Sequence, residues 1–135
     1  MDAVAADEIE RELREASRGL LFMSEADYPV EVVRWRDPQE VTPEFLRGLS
    51  GESPTAPVEV ISPEEFFRAA TSEPDWKVGT ELATAQRFQV LLGLLGTRLT
   101  DLKAYRVGRV NMTVYVVGRA PSGEMMGVST RVVET

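Results

Sequence analysis

Three features of the chain predict an α+β fold. Amphipathic helical patterns, broken by short β-rich runs, fill the first half. The longest apolar periodicity at helical spacing lies in the middle, beginning at Thr80 or Glu81. The last two dozen residues, Asn111 to Thr135, hold two runs rich in β-branched and aromatic residues around a Pro121-Ser122-Gly123 turn. Helices early and a run of antiparallel strands late place helices on one or both faces of a sheet. With 135 residues and 43% hydrophobic content, the chain fits one domain, residues 1–135, with one sizeable core.

Ala5 to Arg18 carries Ala5, Ile9, Leu13 and Ala16 at helical spacing with charges between, and Gly19 stands where a C-terminal cap belongs. Leu20 to Met23 enters the core or packs on that helix, and Ser24 to Pro29 reads as a polar loop. Val30 to Trp35 is a strand stopped by Asp37-Pro38. Thr42 caps a helix of about two turns that has Pro43 at its first position and ends near Gly48. Ser50 to Pro57 is a connection of turn residues, and Val58 to Ile61 is a second strand. Ser62 and Glu65 have capping-box spacing and open a helix through Phe66, Phe67 and Ala70 that stops by Thr71. A loop follows from Thr71 to Trp76. The long helix then carries Ala85, Phe88, Leu92, Leu95, Leu99 and Leu102, widened by Leu91 and Leu94, and belongs centrally against the sheet. Gly93 and Gly96 are poor helix formers and are expected where another element comes close. Ala104 to Gly108 is a third strand. In the final hairpin Pro121 presets φ and Gly123 closes the loop in the left-handed region. A strand running to the last residues pins Glu134 and Thr135 instead of letting them fray.

Composition narrows the chemistry. There is no Cys, which removes thiolate nucleophiles and Cys-based metal sites. There is no His, which removes the commonest general base and metal ligand. An enzyme would have to work with Asp, Glu, Lys or Tyr, so carboxylates and tyrosines such as Tyr28, Tyr105 and Tyr115 are its remaining candidates. The expectation is no catalysis and no cofactor or metal of the chain's own. The net charge is −7. Residues 1–80 carry 18 acidic and 8 basic side chains, and residues 81–135 carry 4 and 7, so the excess is concentrated in the first part. Phosphate binding needs a basic footprint, so direct nucleic-acid binding is not expected. The first twenty residues are charged and no apolar run is long enough to cross a bilayer, so a cytoplasmic protein without a membrane is expected.

Paired carboxylates occur at Glu25 and Asp27, Glu64 and Glu65, and Glu73 and Asp75, none with spacing specific to an acid/base pair; Glu64 and Glu65 are accounted for by the helix start. Two loops stand out. Glu25 and Asp27 flank Ala26 on an exposed bend with Tyr28 behind, either as a solvated turn or as a binding surface. Asp75-Trp76 sets a large aromatic beside a carboxylate, either as a binding anchor or folded back over the core.

Gly19 to Glu25, Tyr28-Pro29, Phe67 to Thr71 with Asp75-Trp76, Val114 to Val116, Pro121, Gly123 and Gly127 to Thr135 together resemble the nuclease A inhibitor family (NuiA-like). The resemblance runs from the first helix to the last residue. It weakens at Arg36 to Pro57 and at Lys77 to Thr80, where more acidic character is expected. It implies a three-layer α-β-α sandwich with a mainly antiparallel central sheet, similar to the plant pathogenesis-related protein fold. It also implies a protein that binds and blocks a sugar-nonspecific, metal-dependent DNA/RNA endonuclease of the same cell. The residues carried over are Glu25, Asp75, Trp76 and Thr135, with the hydroxyl and carboxylate of Thr135 capping the partner's Mg²⁺ ion. The chain would be a monomer alone and a heterodimer with the nuclease. The departure at Lys77 to Thr80 leaves an alternative, a binding module of the same fold directed at another partner.

Overall fold

The computed structural model describes residues 2–36 and 40–134. Its elements run α1 (Asp2–Ser17), β1 (Leu21–Met23), β2 (Asp27–Pro29), β3 (Glu31–Trp35), α2 (Pro43–Ser50), β4 (Val58–Ile61), α3 (Pro63–Phe66), α4 (Arg68–Thr71), α5 (Gly79–Arg98), β5 (Thr100–Val107), β6 (Asn111–Arg119) and β7 (Met125–Val133). Five strands form one antiparallel sheet in the order β3-β7-β6-β5-β4, and β1 and β2 form a separate hairpin. The fold is α+β, as the element order predicts.

Side chains alternate across the pleat, so each long strand feeds two cores. Met112, Val114 and Val116 of β6 and Met126, Val128 and Val132 of β7 pack on one face with Ile9 and Leu13 of α1 and Phe88, Leu91 and Leu95 of α5. Tyr115 and Val117 of β6, Val107 of β5 and Met125 of β7 pack on the other face around Leu46 of α2. The result is three layers: α1, α3, α4 and α5 on one face, the sheet, and α2 on the other. An aromatic cluster of Phe22, Phe66, Phe67 and Phe88 ties the β1 hairpin to the first layer, with Phe22 stacked on Phe66 at 4.7 Å.

Local signals account for several boundaries. Thr42 Oγ1 accepts from Phe45 N at 3.2 Å, Ser62 Oγ accepts from Glu65 N at 3.1 Å, and both helices carry proline in their first turn. The hairpin between β6 and β7 closes with Gly123 at φ +91°, its N–H donating to Ala120 O at 2.9 Å.

Other expectations are corrected. The buried stripe of α1 is Ala6, Ile9, Leu13 and Ser17, one position off at its start and its end, with Ala5 and Ala16 half-buried. The short helix runs past Gly48 to Ser50 and is terminated by Gly51. Ser24 to Pro29 is no plain loop, because Asp27–Pro29 pairs back on Leu21–Met23. The long helix stops at Arg98; Leu99 is its extended C-cap, and Leu102 lies in β5, which starts four residues earlier than the expected third strand. They keep helical spacing because both still pack into the first core, across a register shift where Asp101 has φ +53°. The close approaches expected at Gly93 and Gly96 are absent, since a Cβ there would meet nothing within 4 Å. They occur instead in the sheet. A Cβ on Gly118 would stand 2.8 Å or less from a neighbouring carbonyl, at 2.7 Å from Thr100 O, and one on Gly127 would collide with Val116 O.

Candidate functional site

The β1–β2 hairpin is short, and its turn, Ser24-Glu25-Ala26, is fastened to the far end of β7. Glu25 N donates to Val133 O at 3.1 Å, and Val133 N donates to Ser24 Oγ at 3.1 Å. Ser24 Oγ in turn donates to Ala26 O at 2.8 Å, which closes the turn. Thr130 Oγ1 donates to Pro29 O at 3.0 Å, so the hairpin is held along β7 and not only at its tip. Glu25 therefore sits exposed where β7 ends, beside Glu134, whose N–H donates to Val110 O at 3.0 Å. Thr135, expected to be the metal-capping residue, lies outside the described residues.

Trp76 is 67% exposed, which removes the possibility that it folds back over the core. It stands with exposed Asp75 on the loop from Ser72 to Val78, between α4 and α5. Two side chains fasten that loop. Gln89 Nε2 donates to Thr71 O at 2.8 Å and to the Glu73 carboxylate. Lys77 Nζ donates to Ala69 O at 3.0 Å and Ser72 O at 2.9 Å, and lies 5.6 Å from the Trp76 ring centroid.

The two loops meet through β1. A largely apolar groove of about 370 Å³ is lined by Trp76, Met23, Phe22, Ala70, Thr84, Phe88 and neighbours. A second groove of about 720 Å³ begins at the same Met23 and Phe22 and runs past Ala69 to Glu25, Val133 and Glu134. Met23, 68% exposed, is thus the shared wall between the aromatic loop and the acidic turn. Sequence patterning missed Met23, because an alternating Leu-Phe-Met triplet does not tell which face is core. Phe22 alone of the three is buried. The structure joins Glu25 directly to the end of β7 and links Trp76 to the same hairpin. Asp75 is exposed on the same loop as Trp76.

Burial raises the Tyr105 and Tyr115 hydroxyls above their ordinary pKa, keeping them protonated. The carboxyls held below the usual range, Glu10 and Glu124, are held there first by hydrogen bonds from Arg34, on the β3 side of the sheet. Among the described residues no group of three or more Asp or Glu could hold a metal ion, and no helix is long and apolar enough to cross a membrane.

An exposed tryptophan and methionine beside carboxylates, carried by a loop and a short hairpin fastened to the sandwich, make a surface of the kind that engages another protein. The chain matches the family model described as Nuclease A inhibitor-like protein over residues 7–135, nearly its whole length, and belongs to that family. A comparison with curated proteins returns no match.

Proposed function

We propose that this protein inhibits a sugar-nonspecific, metal-dependent DNA/RNA endonuclease by seating Glu25, Asp75, Trp76 and Thr135 in its active-site cleft. One observation carries the proposal: a backbone hydrogen bond puts Glu25 against Val133, and the same hairpin shares a groove with Trp76. The four residues are far apart in sequence, and the turn joins the first to the strand that leads to the last. A nuclease that grips phosphates offers a basic cleft with a hard cation in it. Carboxylates suit both features. Glu25 pairs with a basic cleft residue, Thr135 caps the partner's Mg²⁺ ion, and Trp76 supplies apolar anchoring. The inhibitor itself performs no chemistry and carries no cofactor, and it acts as a monomer that forms a heterodimer with the nuclease.

The test is a titration of the protein into a nonspecific nuclease assay containing Mg²⁺. Stoichiometric loss of cleavage is the expected result. Full cleavage at excess protein would refute the proposal and leave a binding module with another partner. Glu25→Gln removes the charge and keeps the size, and is expected to weaken inhibition about tenfold, with circular dichroism unchanged because residue 25 is exposed. Undiminished inhibition by that variant would exclude Glu25 from the interface. The association rate is expected to fall as salt rises, since a chain of net charge −7 meeting a basic cleft is steered by long-range attraction. A rate independent of salt between about 50 and 500 mM would contradict the acidic-plug mechanism.

A further inference from the structure

We propose that Lys77 is a positioning residue for Trp76, fixing the indole in its exposed orientation before any partner arrives. The role rests on the nuclease-binding face proposed above. The segment from Ser72 to Val78 has no helix or strand, yet it carries the most prominent aromatic on the surface. A loose loop would let a 67% exposed indole collapse onto the apolar groove beside it, which Met23, Ala70 and Phe88 line. Lys77 opposes that collapse in two ways. Its ammonium donates to Ala69 O in α4 and to Ser72 O just past the helix, joining Ser72 Oγ, which also donates to Ala69 O at 3.2 Å. The same ammonium lies 5.6 Å from the indole centroid, within range of attraction to the ring face. Lys77 N also donates to Pro74 O at 2.9 Å, so backbone and side chain of one residue close the turn around Asp75 and Trp76. Holding an anchor in its bound orientation removes an ordering cost from association, which is how a residue that touches no partner strengthens binding.

The chain has two tryptophans, so protein labelled with 5-fluorotryptophan gives two ¹⁹F resonances. Trp35, packed at 5.1 Å against Phe45, serves as the internal control. Lys77→Met keeps the aliphatic stem and removes the charge; Lys77→Arg keeps the charge and the donors. Lys77→Met is expected to shift and sharpen the Trp76 resonance, leave that of Trp35 in place, and weaken nuclease inhibition about tenfold. Lys77→Arg is expected to restore both. An unmoved Trp76 resonance in Lys77→Met would overturn the clamp. So would a moved resonance with inhibition intact while Trp76→Ala abolishes it. The ¹⁹F measurement is made on the free protein and judges the clamp alone. Full inhibition by Trp76→Ala would instead sink the binding face and leave the clamp standing.

Discussion

Replacing Arg34 by alanine is expected to lower unfolding stability by about 3–5 kcal/mol, the cost of stranding buried charges. Its side chain is 6% exposed and engages three carboxylates. Nε and Nη2 make a two-pronged bond to Glu124 at 2.7 and 2.9 Å, and Nη1 donates to Asp7 at 2.6 Å and Glu10 at 2.8 Å. One guanidinium thus fastens α1 and the β6–β7 turn to edge strand β3. Glu124 is the most deeply set of the acids, with Ser122 Oγ its other donor at 3.0 Å. In Arg34→Ala it keeps its burial and loses its cation. The melting temperature is expected to fall by on the order of 10–20 °C. Adding Glu10→Gln and Glu124→Gln to the Arg34 variant is expected to recover part of the loss, because the stranded charges go with it. A melting temperature unchanged in Arg34→Ala would show the cluster to be a surface ornament.

The same cluster sets an acid limit. Arg34, first by its hydrogen bonds, holds the Glu10 and Glu124 carboxyls below the ordinary value of 4.5, and they in turn push the guanidinium up, Glu124 foremost. Groups whose folded pKa is depressed stabilise the fold above their unfolded pKa and lose that contribution as pH falls through the folded one. Stability is therefore expected to be level above pH 4.5 as far as these groups decide it and to decline below it, with a shallower decline in the triple variant.

How much of this was legible in the chain depended on how local each cause is. Thr42-Pro43, Ser62-Pro63 and Pro121-Ser122-Gly123 act within four residues of themselves, and each produced the expected cap or turn. Helical spacing overruns the end of α5 because Leu99, the cap, and Leu102, on a bulged strand, both keep it, and apolar spacing alone does not see the bulge. Arg34 was unreadable: its partners lie 24, 27 and 90 residues away, and nothing marks one arginine among 15 basic residues as buried. For the candidate site, the two loops that hold Glu25, Asp75 and Trp76 stand out in the sequence and a resemblance gives them a role, whereas the docking of Ser24-Glu25 on Val133 is a tertiary contact across 109 residues. Met23 became visible only when β1 paired with β2 and turned it outward beside Trp76.

Trp76→Ala is expected to weaken nuclease inhibition by about 2–4 kcal/mol, on the order of 30- to 1000-fold, the range of a central aromatic anchor. The size of the effect follows from what the indole would bury. It is exposed now, it lines a groove with Met23, and carboxylates on both loops flank that groove's surroundings, so a partner gripping those carboxylates covers an apolar side chain at the centre of the contact. Desolvation makes such a centre dominate over its rim. A tryptophan that served the fold instead would behave oppositely: its loss would lower the melting temperature and spare inhibition. At 67% exposure Trp76 has little packing to lose, so the melt is expected to stay within about 0.5 kcal/mol of the parent. Met23→Ser should fall in the same direction with a smaller loss, because it forms the groove's other wall. Val90→Ala, a truncation at an exposed α5 position outside the groove, should leave inhibition as it is. Equal losses from Val90→Ala and Trp76→Ala would mean that inhibition tracks general surface change, and the anchor would have to be sought elsewhere on the molecule.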